Sequence, residues 1–460
     1  MMGPRQVAQG SLFYEFSLED HVPPDHLLRS IDRFVDLGDM RRHVAPFYSS
    51  TGRPSVDPEL MIRMLIVGYC FGIRSERRLC EEVHLNLAYR WFCRLDLTDR
   101  VPDHSTFSKN RHGRFRQSDL FRHLFESVVA RCITEGLVGG TTFASDASLI
   151  RADANKQYSA PKERWDPALI DTEIAPRAVL EYLDVLDDAA FGAASDVAPK
   201  FVAYADPASQ WTGALKGPAF FAYSDNYLID TENAVILDVE ATRSIRQAEL
   251  GATRTMIERT RDRFGLTPER LAADKAYGSG EMLGWLIDEQ GIEPHIPVID
   301  KSERPDGTFS NAEFRFDAEA DEYTCPGGKR LKKYWRKMRK PRTGVTKDGF
   351  RRYYARKQDC SACALKARCT PNQDTRKISR HLSEHARDRA REIATTDAYA
   401  ESSRRRKKVE MLFAHLKRIL RLDRLRLRGP NGAKDEFLLA ATAQNLRKLA
   451  KLIPTPPAPA

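Results

Sequence analysis

The sequence predicts an α/β protein: a mixed-sheet domain carrying an insertion, preceded by an all-α N-terminal segment. Three observations predict it. Up to about residue 135 the apolar residues recur at helical spacing, from Gly139 strand-like runs alternate with helical ones, and residues 300–395 break that rhythm. The expected division is therefore 1–135 and 136–460, with 300–395 inserted into the second part.

The helical segment is read from its caps. Asp57 followed by Pro58 gives an N-cap and a proline at the first helical position, and Leu60, Met61, Met64, Leu65 and Ile66 follow until Gly72. Ser75 and Glu76 open a second short helix, "SERRLCEEV". "PDHSTFSKNRHGRF" opens a third at Asp103 to Ser105 and carries Lys109, Asn110, Arg111, His112 and Arg114. Short helices ending in a basic, polar one suit a helix-turn-helix reader of DNA. A small helical bundle with a basic face gives the same pattern.

The sheet begins with "TTFASDASLIRA", centred on Asp146. "AFFAYSDNYLID" and "NAVILDVEAT" read as two strands joined by the polar turn Asp230 to Asn233. "AELGATRTMIERTRDRFG" is an amphipathic helix ending at Gly265, "RLAADKAY" a short strand, Gly280 the start of a helix, and "EPHIPVI" a further strand. Between the first two strands, residues 155–215 read as an irregular insertion with one helix, "RAVLEYLDVLDDAA". Residues 300–395 hold short β-like pieces ("EYTCP", "FRRYYARK") and half of the cysteines. Two helices follow, roughly 398–422 and 433–452, then the proline-rich tail "IPTPPAPA".

Charge narrows the function. Lys and Arg total 74 against 64 Asp and Glu, a formal +10, which favours a polyanionic partner. The excess is concentrated: Lys329 to Arg342 holds nine cations and no acid, and Glu401 to Arg428 eleven cations against three acids. Such tracts track phosphates or simply face solvent. The start, "MMGPRQVAQGSLFYEF", has no apolar core of a secretory signal, and "LMIRMLIVGYCFGI" is too short to span a bilayer and is broken by Arg63. Eight cysteines in a chain of this length then point to a reducing cytoplasm rather than a disulfide framework.

Three acids stand out. Asp146 lies mid-strand, where a carboxylate is costly unless paired or metal-bound; Asp274 ends a later strand; Glu410 follows the cations Arg404 to Lys408. Carboxylates at strand ends plus one from a packing helix can converge on two hard divalent cations, the arrangement that metal-assisted phosphoryl transfer requires. The bland alternative is that they cap helices or meet solvent, and Asp153 and Asp206 compete from loop-like sequence nearby. At about 100° per residue, Arg406, Glu410, Phe413 and Lys417 share one helix face, beside an apolar stripe of Val409, Leu412, Leu416, Ile419 and Leu420. An i,i+4 ion pair would account for Arg406 but not for Lys417.

These residues resemble the DDE-type transposases of bacterial insertion sequences, in the IS-four and IS-five assemblage, whose signature is Y-x2-R-x3-E-x6-K. Arg406, Glu410 and Lys417 fall at those spacings, while Ser403 occupies the tyrosine position and Tyr399 lies one turn earlier. "ASDASLI" and "AADKAYGS" look like the two aspartate blocks, and "FYEF" through "PDHSTFSKNRHGRF" like the helical domain of one such group. The resemblance implies an RNase H-like catalytic domain with Asp146, Asp274 and Glu410 holding two Mg²⁺ or Mn²⁺ ions. It implies that Arg406 and Lys417 grip phosphates at the DNA ends, with Arg404, Lys408, Lys109 and Arg111 as further DNA contacts. The partner is then double-stranded DNA, bound by a homodimer in the bacterial cytoplasm, with no membrane role. A nuclease without strand transfer and a non-catalytic DNA-binding protein are the alternatives. Finally, Cys360-x2-Cys363-x5-Cys369 with Cys325 upstream could bind a structural zinc or stand as reduced thiols, while Cys70, Cys80, Cys93 and Cys132 read as core residues.

Overall fold

The computed structural model describes residues 16–49, 51–52, 55–191, 199–213, 217–299, 306–335, 344–346 and 349–453. The heart of the first basic tract, 336–343, and the proline-rich tail from 454 fall outside these. The chain forms two compact units, one of residues 1–140, 145–267 and 407–460, the other of residues 141–144 and 268–406.

In the first unit the expected caps form. Asp57 accepts a hydrogen bond from the Glu59 N–H (3.1 Å) and starts helix α1, Pro58–Cys70. Ser75 and Asp103 likewise cap Glu76–Leu85 and His104–Asn110. Helix α1 is apolar almost all round because it is buried almost all round. Arg63, the charge in its middle, is held by Asp32 (2.7 Å) and the Phe92 carbonyl (3.1 Å). No helix among the described residues is long and apolar enough to cross a membrane.

Strand β1 (Thr142–Arg151) continues into this unit from the other. With it are β2 (Gln210–Thr212), β3 (Phe220–Asp230) and β4 (Ile236–Arg243). β3 lies between β1 and β2, and β4 also pairs with β3; both β2 and β4 run antiparallel to it. The Ala152 N–H donates to the Phe221 carbonyl (2.9 Å), so the end of β1 meets the beginning of β3 and the two are antiparallel. The polar turn between β3 and β4 is organised by Asp230, whose carboxylate accepts from the N–H groups of Glu232 (2.9 Å), Gly139 (3.1 Å) and Gly140 (3.0 Å).

Helices cover both faces. On one lies α3 (Arg246–Phe264), ended by Gly265 in the left-handed region at φ 67°. It is hydrogen-bonded to one residue of each central strand: Ser145 of β1 meets Thr253 (2.7 Å) and Ser224 of β3 donates to Glu249 (2.6 Å). The opposite face receives α4 (Asp397–Arg418) and α5 (Pro430–Leu452). Tyr227 of β3, fully buried, stacks on Phe413 of α4 at 4.7 Å and donates to Gln444 of α5 (2.9 Å). The stripe expected on α4 is buried at Val409, Leu412 and Leu416 and, just past the helix end at Arg418, at Leu420, whereas Ile419 is half exposed.

The boundary expected at residue 135 does not separate compact units. Arg122, on helix α2 (Leu120–Thr134), crosses to β4 and meets Asp238 (2.5 Å) and the Val239 carbonyl (2.8 Å); Arg259 of α3 binds the same carboxylate (2.7 Å). Arg74 pairs with Glu436 of α5. Buried charges of this kind must be partnered, and the partners lie across the expected boundary.

In the second unit, residues 142–144 of β1 pair in parallel with β5 (Arg270–Ala272), and β5 in parallel with β6 (Glu293–His295). Both new strands are only three residues long, shorter than "RLAADKAY" and "EPHIPVI" suggest. The inserted segment adds an antiparallel triplet, Arg315–Asp317, Glu322–Thr324 and Arg330–Leu331, and the hairpin-like pair Phe350–Tyr354 with Lys377–His381.

One interaction offers a direct test of the first unit. Fully buried Asn445 of α5 accepts from the Ile236 N–H (3.0 Å) and donates to the Ile236 carbonyl (2.8 Å). Asn445→Ala leaves both backbone groups unsatisfied, so the unfolding free energy is expected to fall by about 2–4 kcal/mol, read from urea denaturation midpoints. A loss under about 0.5 kcal/mol, the scale of an ordinary surface change, would show that the clamp is dispensable.

Candidate active site

Side-chain alternation decides what faces α4. Ser145 points to α3, so Asp146 and Ser148 lie on the side of α4, as do Tyr223, Asp225 and Tyr227 of β3. The Lys417 ammonium confirms the direction: it donates to the Ser148 hydroxyl at 2.8 Å. After α4 the chain also returns along β1, with Arg151 N–H to the Asp423 carbonyl (3.2 Å) and Leu425 N–H to the Arg151 carbonyl (2.8 Å). The helix of Glu410 is thereby tied to the strand of Asp146 at two places.

Asp146 is partly buried, and one of its oxygens accepts from the Ala147 N–H (2.8 Å). Glu410 is exposed, one residue after buried Val409 and three before buried Phe413. Asp274 belongs to the second unit, just past the end of β5. There it caps the single turn Lys275–Tyr277 by accepting from the Ala276 N–H (2.7 Å), so the bland role anticipated for a strand-end acid is present. Ala144 and Ala272 are partners in the β1–β5 register, and Asp146 and Asp274 each follow the paired alanine by two residues. Among the described residues no group of three or more His, Cys, Asp or Glu is arranged to hold a metal ion.

The cations divide. Lys109 and Arg404 are exposed, and Arg406 is partly buried. Arg111 is 4% exposed and its guanidinium pairs with Glu76, so it acts inside the helical packing rather than on a DNA-facing surface. Lys408 donates to the Thr231 (2.8 Å) and Glu232 (2.5 Å) carbonyls, bracing the β3–β4 turn. The competing acids are accounted for as well. Asp153 is bridged by Arg424 (2.6 Å) and Arg428 (2.9 Å). Asp206 is fully buried under the Tyr223 hydroxyl, and burial pushes its carboxyl up to about 7.

Residues 16–113 match the family described as "Transposase domain (DUF772)", and residues 324–450 match "Transposase DDE domain". The two matches support a DDE-type transposase. The chain matches no curated protein. The second segment contains Arg404, Arg406, Glu410, Lys417 and all four cysteines of the insertion, and the first contains Lys109 and Arg111. Asp146 and Asp274 lie between the matched segments, so the transposase reading of these two rests on their own setting.

That setting includes an acid not singled out from the sequence. Asp225 is fully buried, and neither carboxylate oxygen has a hydrogen-bond partner among the described residues. Burial pushes its pKa well above the carboxylate range, opposed in part by the neighbouring Tyr227 hydroxyl and then by the Lys417 charge; burial lowers that of Lys417, opposed in turn by Asp225. The signal was available, since "AYSDNYLI" sets an acid mid-strand just as "FASDASLI" does.

Asp225 gives a pH prediction. An acid whose folded-state pKa is raised contributes stability that is fully present below its unfolded pKa, near 3.9, and is lost as pH rises toward the folded value. Asp225→Asn removes that loss. Its thermal midpoint is expected to exceed that of the wild type at pH 8 and to converge with it near pH 4. A lower midpoint at pH 8 would mean that the charged carboxylate, paired with Lys417, is itself stabilising.

Proposed function

We propose that the chain is a DNA transposase with an RNase H-like catalytic fold, in which Asp146, Asp274 and Glu410 form the active centre. In this reading it binds the terminal inverted repeats of its insertion sequence, cleaves at the ends, and joins the freed 3′-hydroxyls to target DNA. It acts as a homodimer on double-stranded DNA. The observation that carries the reading is the Lys417–Ser148 hydrogen bond (2.8 Å), which ties the helix of Glu410 to the strand of Asp146.

All three acids are carboxylates, hard oxygen donors that suit Mg²⁺ or Mn²⁺, and they would hold two such ions. When bound, the ions supply activation of the attacking oxygen and stabilisation of the leaving one. The remaining work falls to the chain's own cations. Arg404, Arg406 and Lys109 meet phosphate oxygens and fix the strand in line, a positioning effect rather than sequence readout. Lys417 is held by Ser148 beside Asp146, so its charge is placed before DNA arrives and little side-chain freedom is lost on binding. Ser403 offers a small hydroxyl where the related signature has tyrosine; no ring is available there to stack on a base.

The decisive experiment incubates the protein with end DNA and a plasmid in Mg²⁺. Wild type is expected to cut and to yield joined product. Asp146→Ala and Glu410→Ala should still bind the ends, while cleavage falls by more than the roughly 10–100-fold typical of losing an outer-shell partner. End cleavage persisting in Asp146→Ala would overturn the site assignment, and hydrolysis without any joined product would mean a nuclease. Lys417→Ala is expected to weaken end binding and to reduce the slope of log affinity against log salt by about 1. An unchanged slope would remove Lys417 from the DNA contacts.

A further inference from the structure

The cysteine-bearing insertion builds a core of its own. Phe309, Phe314, Tyr323, Leu331, Tyr353 and Ile378 are buried together, fed by the short strands of the triplet and the hairpin-like pair. A core this small seldom holds a fold unaided, and small domains recruit disulfides or a metal to do so. All the cysteines here are free thiols. Cys325, Cys360 and Cys369 pack against this core, and together with Cys363 they line a single cavity of about 30 Å³.

The local backbone around these thiols is that of ligand-bearing turns. In "CPGGK" the Cys325 N–H donates to the Lys329 carbonyl (2.8 Å) and the Gly328 N–H to the Cys325 carbonyl (2.8 Å). That turn aims the Lys329 N–H at the Cys325 sulfur (3.3 Å). A Cβ at Gly327 would lie 3.6 Å from the Cys363 sulfur and 3.7 Å from that of Cys325, so Gly327 sits between the two halves of the cluster. Across the cavity, the C-x2-C step closes through the Cys363 N–H to the Cys360 carbonyl (3.4 Å), and Cys369 ends the short helix Lys366–Cys369. Lys329, Lys366 and Arg376, with the single acid Asp359, also line the cavity, and Arg376 is fixed by the carbonyls of Cys369 (3.1 Å) and Phe309 (2.8 Å). Three cations would offset the net negative charge of four thiolates around one dication.

We propose that Cys325, Cys360, Cys363 and Cys369 bind one structural zinc ion that staples the insertion. The sulfurs line the cavity without converging on one point, so ion binding draws them inward. Four soft thiolates disfavour the hard ions of phosphoryl transfer, and a four-cysteine set with one tight C-x2-C step suits the tetrahedral geometry of structural zinc. A four-cysteine set leaves no open coordination position, so the role is structural. This site stands independently of the transposase reading.

The test uses the full-length protein purified without chelator from zinc-supplemented medium. Mass spectrometry of the metal content is expected to give one zinc per chain, with no iron and no visible absorbance. Cys360→Ser and Cys363→Ser should lose it, while Cys80→Ser, on the helix Glu76–Leu85, should retain it. Because a cysteine variant can fail to fold, the wild type is also alkylated and peptide-mapped. Cys325, Cys360, Cys363 and Cys369 should be protected until a strong chelator releases zinc to a chromophoric indicator, and the thermal midpoint should drop at the same step. Absence of zinc with all four thiols reactive before chelation overturns the proposal, as does stoichiometric iron.

Discussion

Everything on the exposed side of α4 depends on how its buried side is pinned to the sheet, and that pinning passes through Gln444. This side chain, 3% exposed, accepts the Tyr227 hydroxyl proton from β3. Its amide donates to the Leu412 carbonyl of α4 (2.9 Å) and lies 3.2 Å from His415 Nδ1. One amide group thus joins the sheet and both C-terminal helices, and Phe413 closes the arrangement by stacking on Tyr227. A purely apolar contact would let α4 slide or rotate at small cost; a satisfied polar network fixes one register. Glu410 and Lys417 inherit their positions from that register, one exposed and the other reaching Ser148.

The face between β1, β3 and α4 is also where the first unit keeps its least comfortable charges. Asp225 is fully and Lys417 partly withdrawn from water, and each moderates the other's loss of hydration. Cores elsewhere in the unit treat charge differently: Asp238 has two guanidinium partners and Glu436 has Arg74 together with two backbone N–H groups. Groups left incompletely compensated are a feature of sites built for something besides stability.

Much of this was legible in the sequence, and the gaps have physical causes. Helix starts were legible at Asp57, Ser75 and Asp103 because capping is local chemistry, and strands β1, β3 and β4 because their apolar runs are long. Strands β5 and β6 were overextended because their neighbouring apolar residues are buried without joining a ladder. The contacts across residue 135 were not legible because partners such as Arg122 and Asp238 are 116 positions apart, a separation no window reads. Among the site residues, composition could rank Arg111 with the other cations but could not foresee Glu76 beside it. Asp225 was passed over although the argument applied to Asp146 covers it equally.

Among the described residues strand β4 pairs only with β3, which makes it an edge. Exposed edges are templates for another copy of the chain, and proteins blunt them with charge, proline or a covering helix. Here the covering helix carries its own plug: the amide of Asn445 occupies both hydrogen-bonding groups of Ile236, just where β4 begins. The side chain that secures α5 therefore also denies an incoming strand its first rung, making resistance to aggregation a property of the same contact that orders the fold.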